Sequence, residues 1–258
     1  MKIIKPSYEI LDDISEDGIK ELQKIERCAR TCYKSEDRMS EDGESAKKLI
    51  RKLIESGHEA MLEHSCLTVK FITDRGVSHE LVRHRMASFA QESTRYCNYS
   101  NDKFGQEITV IEPVEFDKLS IEHGYDVSRE KEATVTDLLR LRNAENDDER
   151  ESTFAVFDEH SDIYKAYAYW FLNCYENETY YLQLTNVYDM TPQMARSVLP
   201  NSLKTEIVVT ANYREWRHIF QLRTAPDAHP EIRRLLMPLL KELKIRIPVI
   251  FDDIKVEE

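Results

Sequence analysis

The chain has 258 residues, of which 33% are charged, and a formal net charge of -12. Its length allows one sizeable core or two modest ones, and its apolar content is ordinary for a globular protein. Nucleic-acid binders and membrane-surface proteins usually need an excess of Lys and Arg, so this composition argues against both classes.

The cysteines and the first residues indicate the compartment. Five cysteines, an odd number without a CxxC pair, are typical of free thiols in a reducing environment. No stretch approaches the roughly 20 apolar residues of a membrane span. The beginning, Met1 to Pro6, lacks the long apolar core of a signal peptide. We therefore expect a cytoplasmic protein without a membrane partner.

Apolar periodicity in the first part of the chain predicts helices and two short strands. After a short apolar strand at the start, the patterns predict a helix over residues 19–29, a helix between Gly43 and Gly57, a strand over 66–73 and a helix from Arg75 capped by Thr73 or Asp74. Helices dominate the whole chain, so the fold class is α+β in a single domain over residues 1–258.

The second part contains a charged, apolar-poor segment at about residues 114–152. Its composition is typical of a variable, partly mobile insertion outside the core. Around it the patterns predict a strand over 107–111, a long aromatic helix from Phe154 to Asn177, a helical turn opened by Thr191-Pro192, a strand over 206–211, a helix over 213–222 capped by Asn212, and a last helix from Pro230 to Leu243.

The stretch from Arg83 to Tyr96 has three arginines, a histidine, two serines and an amide in fourteen positions. A guanidinium donates two parallel hydrogen bonds to phosphates and to flat carbonyl-bearing rings. A small ligand responds mainly to charges within a Debye length of about 8 Å, so the acidic chain as a whole does not exclude an anion here. The cluster predicts an anionic nucleotide.

Two other segments leave alternatives open. His58, Glu59, Glu63 and His64 would suit a metal-dependent nucleotide hydrolase, but their spacing differs from His-Glu-x-x-His and no third ligand is evident. On a helix, Arg214, His218 and Gln221 share one face, and Trp216, Phe220 and Arg223 form another stripe. That helix is either a solvated amphipathic helix or one placed between two ligand-binding surfaces of an oligomer. A non-enzymatic nucleotide-binding regulator is a further alternative.

Four motifs together resemble those of the flavin-dependent thymidylate synthases. Arg83-His84-Arg85, seven residues and Ser93 resemble the RHRxxxxxxxS signature of that family. The other three are Gly57-His58-Glu59 with Glu63-His64, similar to GHExxxEH, Ala195 to Pro200, similar to ARxxLP, and Asn212-x-Arg214 with Leu222-Arg223, similar to NxR…LR. Their order and spacing span roughly residues 20 to 245, which makes the resemblance specific.

The resemblance implies a small sheet flanked by helices in a homotetramer that binds FAD between subunits. It implies conversion of dUMP to dTMP in de novo biosynthesis, with methylene-tetrahydrofolate as carbon donor and NADPH as reductant. By the same resemblance, the flavin contacts are His58, Ala60, Arg83, His84, Arg85, Gln91, Asn212, Arg214 and His218. The dUMP contacts are Glu80, Arg83, Gln91, Glu92, Ser93, Thr94, Arg95, Arg196 and Arg223.

Arg223 is the predicted catalytic residue, since in the family this arginine contacts the uracil ring and promotes its ionisation. Uracil C5 is a poor nucleophile unless electron density enters the ring, which ordinary thymidylate synthases achieve with a cysteine that adds to C6. A guanidinium beside the carbonyl edge can instead stabilise the ring anion, so no covalent nucleophile is needed. Ser93 is then a hydrogen-bonding group for the phosphate.

The chain departs from the family pattern at a few positions. Ala90-Gln91 stands where many members have Asn-Glu, and Ala60 replaces a common Ser or Thr, so a flavin contact there comes from the backbone. His218 stands where Asn is frequent. The residue between Thr224 and Pro230 that takes the place of a flavin-facing histidine is left open.

Overall fold

A computed structural model of the chain describes residues 1–15, 17–120 and 127–256. In chain order its elements are β1 (Lys2–Ile4), β2 (Ser7–Ile10), α1 (Ile19–Thr31), α2 (Glu44–Glu55), β3 (Cys66–Asp74), α3 (Arg75–Leu81), β4 (Ala87–Gln91), β5 (Thr109–Ile111), α4 (Val127–Asn143), α5 (Asp147–Glu159), α6 (Asp162–Asn186), α7 (Pro192–Ala195), β6 (Lys204–Asn212), α8 (Tyr213–Arg223) and α9 (Pro230–Arg246). Short 3-10 turns lie at Glu36–Arg38, Glu59–His64, Asp102–Phe104, Val114–Ser120 and Arg196–Val198. The predicted α+β class, dominated by helices, is confirmed.

The elements form two compact units. The sheet unit comprises Pro6–Glu92 and Thr205–Glu258, and the helical unit comprises Met1–Lys5 and Ser93–Lys204. None of the helices in the described ranges combines the length and apolar character that a bilayer crossing requires.

The sheet unit is built on a four-stranded sheet in the order β2-β3-β6-β4. β2 runs antiparallel to β3, and β4 runs antiparallel to β6 from the pair Ala87↔Ala211 to the pair Gln91↔Ile207. Buried and half-buried residues alternate along β3 and β6, because successive side chains point to opposite faces. The buried face packs on α8, where the ring of Trp216 lies 6.3 Å from that of Phe71.

Side-chain caps begin the two helices that frame the predicted site. Asp74 Oδ1 accepts the backbone N–H of Val77 at 2.8 Å, which selects Asp74 from the two predicted caps of α3. Asn212 Oδ1 accepts the backbone N–H of Glu215 at 2.8 Å and caps α8 as predicted. Each cap satisfies a donor that has no partner inside its own helix, and so fixes where the helix begins.

The helical unit consists of β1 paired in parallel with β5 and of the helices α4 to α7. Leu138 of α4, Phe157 of α5 and Leu172 of α6 are buried in one apolar cluster. The expectation of a segment outside the core is therefore wrong for part of residues 114–152, because Phe116, Leu119 and Leu138 are buried. Residues 145–152 are exposed, and that the segment is an insertion stays a prediction. Residues 121–126 lie outside the described residues.

The predicted aromatic helix from Phe154 to Asn177 is wrong as one continuous element. α5 ends at Glu159 and α6 begins at Asp162, because His160 and Ser161 both have extended backbone conformations. His160 places its ring between two carboxylates of α4, with Nδ1 2.8 Å from Glu130 Oε1 and Nε2 3.0 Å from Asp137 Oδ2. These contacts compensate for the interrupted helix, and α6 then continues to Asn186.

Candidate active site

One face of α8 lines a cavity of about 380 Å³ in the sheet unit. Asn212, Arg214, His218 and Gln221 reach it because steps of three and four residues place side chains on one side of a helix. The remaining lining residues are Glu59, Glu63, Met86 and Glu215. The structure thus brings together three of the predicted flavin contacts, Asn212, Arg214 and His218.

A second cavity of about 460 Å³ in the same unit receives two further predicted flavin contacts, His58 and Ala60. One part of its wall is apolar, with Leu49, Leu53 and Met61, and another part is polar. Glu59 and Arg214 line both cavities. His58 and Ala60 are exposed, at the beginning of the 3-10 turn Glu59–His64.

His84 is the buried centre of the arginine stretch, with 5% of its surface exposed. Burial, with the nearby charges of Arg223 and His218, lowers the pKa of His84 to about 4. The neutral ring accepts a hydrogen bond at Nε2 from Nε of Arg223 at 3.1 Å. That bond requires the ring proton on Nδ1, which faces Glu215 Oε1 at 3.6 Å. Burial also raises the pKa of Glu215, against the opposing charge of His218.

Arg223, the predicted catalytic residue, ends α8 beside His84 and α3. Its Nη1 donates to Glu80 Oε2 at 2.9 Å and its Nη2 to the backbone carbonyl of Glu80 at 3.4 Å. Glu80 Oε1 lies 2.7 Å from His229 Nδ1. The guanidinium therefore joins two of the predicted site residues, Glu80 and His84.

Arg83 and Arg85 flank His84 and expose their side chains. Within the described ranges, the structure records no hydrogen bond or ion pair for either guanidinium. Both are thus available to an anion.

Gln91, predicted to contact both ligands, directs its amide into the sheet unit. Its Nε2 donates to Ser78 Oγ at 2.9 Å and to Thr205 Oγ1 at 3.2 Å. Arg75 also donates to Thr205 Oγ1, at 3.3 Å, and to the backbone carbonyl of Glu92 at 3.4 Å. The Gln91 nitrogen is engaged by hydroxyl groups, while its amide oxygen retains its acceptor capacity.

The helical unit holds the four remaining predicted dUMP contacts. Arg196 Nη1 donates to Thr94 Oγ1 at 3.4 Å. Arg95 Nε donates to Gln193 Oε1 at 3.0 Å, and its backbone N–H donates to Ser93 Oγ at 3.3 Å. The hydroxyl of Ser93 therefore takes part in a local turn. The chain passes from the sheet unit to this cluster between Glu92 and Ser93.

The metal-dependent hydrolase is not supported. Glu63 Oε1 accepts from Arg214 at 2.5 Å, and Glu59 Oε1 accepts from Arg217 at 3.2 Å, so guanidinium groups engage both carboxylates. Over residues 1–15, 17–120 and 127–256, no group of three or more His, Cys, Asp or Glu side chains could hold a metal ion.

Sequence reasoning missed Arg217, which is 2% exposed. It donates from Nη1 to the backbone carbonyl of Ile250 at 2.5 Å and binds both carboxylate oxygens of Asp253, at 2.6 and 2.8 Å. Its contact with Glu59 connects it to the wall of both cavities. Helical spacing from Tyr213 and Phe220 places Arg217 on the buried stripe, but Asp253 is too distant in the chain to be identified from the sequence.

Known proteins resemble this chain over most of its length. The family described as thymidylate synthase complementing protein matches residues 17–249. The flavin-dependent thymidylate synthase of Corynebacterium aurimucosum is 31% identical over 230 residues, which cover 89% of this chain and 78% of that protein. The protein of the same name from Mycobacterium tuberculosis strain H37Rv is 30% identical over 238 residues, with 90% and 79% covered.

Two solved structures show the same fold. The UMP/dUMP methylase PolB from Streptomyces cacaoi, bound with 5-Br dUMP, has a TM-score of 0.64 at 21% identity and covers 98% of this chain and 96% of its own. Thymidylate Synthase X from Helicobacter pylori, with FAD and dUMP, has a TM-score of 0.58 at 19% identity, with 96% and 98% covered. The resemblance seen in the four sequence motifs is confirmed, and the chain belongs to the family of flavin-dependent thymidylate synthases.

Proposed function

We propose that this chain converts dUMP to dTMP by reductive methylation, with methylene-tetrahydrofolate as carbon donor and NADPH as reductant of a bound FAD. The family supports this proposal, as do relatives that are flavin-dependent thymidylate synthases and a structural neighbour solved with FAD and dUMP. The observation of most weight is the guanidinium of Arg223, held by Glu80 and His84 with N–H groups remaining for a ligand.

The residues of the sheet unit fit FAD, an anion with a diphosphate and two flat ring systems. Arg83 and Arg85 offer two guanidinium groups that no acidic side chain neutralises, as a diphosphate requires. The two cavities offer apolar walls for a flat ring and amide and imidazole groups for its polar edge. His58, Ala60, Arg83, His84, Arg85, Gln91, Asn212, Arg214 and His218 would hold the cofactor.

When bound, the reduced flavin supplies the hydride that completes the methyl group. Arg223 stabilises the negative charge that enters the uracil ring, because its guanidinium is fixed before the reaction begins. The neutral His84 accepts from Arg223 and adds no competing positive charge. Ser93, Thr94, Arg95 and Arg196 would contact dUMP, with Ser93 as a hydrogen-bonding group for the phosphate. Glu80, Arg83, Gln91 and Glu92 are also proposed dUMP contacts.

We also propose a cytoplasmic homotetramer whose sites are shared between subunits, and one catalytic domain over residues 1–258 that includes an insertion at about 114–152. The exposed predicted contacts His58, Ala60, Arg83 and Arg85 support shared sites, because a cofactor held only by them would face solvent on one side.

The purified protein tests the proposal directly. We expect it to be yellow, to oxidise NADPH only when dUMP is present, and to form dTMP when methylene-tetrahydrofolate is added. dUMP binding without turnover would instead identify a nucleotide-binding regulator. Failure of flavin to co-purify, or to bind when it is added, would refute the synthase function.

A further inference from the structure

Glu80 and His229 form a hydrogen-bonded series that ends on the guanidinium of Arg223. One carboxylate oxygen of Glu80 accepts from Arg223 Nη1 at 2.9 Å, and the other lies 2.7 Å from His229 Nδ1. The backbone carbonyl of Glu80 accepts from Nη2 at 3.4 Å. One residue of α3 thus contacts both terminal nitrogens of Arg223, and His229 contacts that residue from the loop that follows α8.

The number of donors on Arg223 shows what this arrangement leaves for a ligand. A guanidinium has five N–H groups. His84 receives the one on Nε, and Glu80 receives one from each terminal nitrogen. One N–H therefore remains on Nη1 and one on Nη2. The side chain of Arg223 is 24% exposed, so a ligand can reach it while its present contacts persist.

We infer that Glu80, in addition to its proposed contact with dUMP, is a positioning residue for Arg223, and that His229 fixes the carboxylate of Glu80. The inference rests on the proposed function, in which Arg223 acts on the uracil ring. An arginine side chain has many rotamers, and a charge stabilises a transition state best when its direction is fixed beforehand. Glu80 and His84 fix that direction from two sides.

Glu80 affects Arg223 through its negative charge and through its hydrogen bonds, and the two effects can be tested separately. The charge partly neutralises Arg223, which opposes stabilisation of a ring anion, whereas the hydrogen bonds keep the guanidinium in place. Glu80→Gln keeps an oxygen that can accept from Arg223 and adds an amide that can donate to His229. Glu80→Ala removes both contacts. Comparing the two variants therefore distinguishes positioning from charge.

The first experiment measures kcat and KM for dUMP on holoenzyme carrying each substitution. We expect Glu80→Ala to lower kcat about 100-fold with a smaller change in KM, since a displaced Arg223 fails mainly in the transition state. We expect Glu80→Gln to stay within about fivefold of the wild type, as a neutral hydrogen bond replaces a charged one. Glu80→Gln losing as much as Glu80→Ala, or Glu80→Ala keeping the wild-type kcat, would overturn the inference.

A double-mutant cycle tests the role of His229. His229→Ala should lower kcat in the wild-type background and have little further effect in Glu80→Ala, because its contact with Arg223 runs through Glu80. Independent, additive losses would show that His229 does not act through Glu80. His229→Asn, whose amide can still donate, should recover part of the loss. If Glu80→Ala proves poorly folded, His229→Ala and Glu80→Gln still test the inference without the cycle, since kcat should fall in the first variant and stay within about fivefold of the wild type in the second.

Matched control variants and binding measurements distinguish a loss of positioning from a general loss of folding or binding. Glu206→Gln removes a carboxylate that pairs with Lys70 at 2.6 Å, and His79→Ala removes an exposed histidine next to Glu80; both should keep the wild-type kcat. Flavin content, thermal midpoint and calorimetric dUMP affinity are measured for every variant. A wild type that forms no dTMP would overturn the proposed function and this inference together, whereas normal turnover by Glu80→Ala overturns the inference alone.

Discussion

Arg223 has its direction fixed by two side chains, of which Glu80 is charged and His84 is neutral. His84 contacts it as a neutral acceptor, because the pKa of that ring is lowered to about 4 by burial and by the neighbouring charges of Arg223 and His218. A protonated ring at the same place would repel the guanidinium and could not accept its hydrogen bond. The buried histidine of the arginine motif thus orients the proposed catalytic group.

Arg223→Ala is expected to reduce dTMP formation by a factor of at least about 10², the loss typical of removing one preorganised donor to a developing anion. Turnover is measured with saturating dUMP, beside flavin content and the far-ultraviolet circular dichroism spectrum. Arg51→Ala removes an exposed arginine of α2 in the same unit and is the control. Equal activity of the two variants would contradict the assigned role of Arg223.

Short motifs identify candidate site residues, whereas contacts that depend on the tertiary fold could not be predicted from the sequence. The motifs predicted His84, Arg223, Asn212 and Arg214, and the structure brings these residues together in one unit. No local pattern connects Glu80 with His229, because these two residues are 149 positions apart in the chain.

Helix α8 depends on Asn212 in two ways, as the cap of its first turn and as part of a cavity wall. Asn212→Ala should lower the free energy of unfolding by about 1 kcal/mol and should also reduce flavin content. Asn212→Asp retains a capping oxygen but adds negative charge beside Glu215, so it should keep the stability and still bind less of the anionic cofactor.

Denaturant unfolding measures the free energy of unfolding of each variant, and the amount of flavin bound per chain measures its flavin content. Asn146→Ala removes the same kind of cap from α5, where Asn146 Oδ1 accepts from Glu149 at 2.9 Å, and should lower stability without loss of flavin. Full flavin content in both Asn212 variants would exclude this residue from the cofactor site.

The ring of His160, at the break between α5 and α6, should make the free energy of unfolding depend on pH. Burial alone would lower the pKa of His160, but hydrogen bonds to Asp137 and Glu130 outweigh it and raise the pKa. A raised folded-state pKa stabilises fully below the unfolded value of about 6.5, and the contribution is lost as pH rises through the folded value. We expect the free energy of unfolding of the wild type to exceed that of His160→Ala by roughly 1–2 kcal/mol below about pH 6.5. The difference should decrease as pH rises further, which unfolding at a series of pH values measures. A difference that grows with pH would contradict the assigned contacts.

Periodicity predicted most elements because buried stripes and caps are local signals. It failed at the α5–α6 break, where two extended residues interrupt a continuous run of helix-forming side chains. It also missed β4, since the residues after Arg85 carry hardly any apolar alternation and the strand is specified by pairing with β6, more than a hundred positions later. Pairing partners that distant are not encoded in any local window.

The whole molecule is divided at three points of the chain, at Lys5–Pro6, Glu92–Ser93 and Lys204–Thr205. The chain length is compatible with one or two cores. Their boundaries could not be predicted, because no Gly-, Ser- or charge-rich linker marks these three points. That the two units act as one catalytic domain stays a prediction. The family assignment succeeded because its motifs are distributed over the full chain and do not depend on this division.

Light scattering coupled to size-exclusion chromatography tests the proposed assembly. We expect a mass four times that of one chain, unchanged on dilution to micromolar concentration, because exposed cofactor contacts need a partner surface to be covered. A fully active monomer would contradict the shared sites.

The buried Arg217 should limit the substitutions that relatives of this chain tolerate at its own position and at those of Asp253 and Glu59. Asp253 and Glu59 both depend on its guanidinium, whose Nε has no partner within the described residues. Replacing Arg217 alone would leave the partly exposed carboxylates of Asp253 and Glu59 without their counter-ion, and replacing Asp253 alone would leave the buried guanidinium with weaker compensation. Variation at these positions should therefore be correlated across relatives, with neutral residues tolerated at one only when the others have also changed.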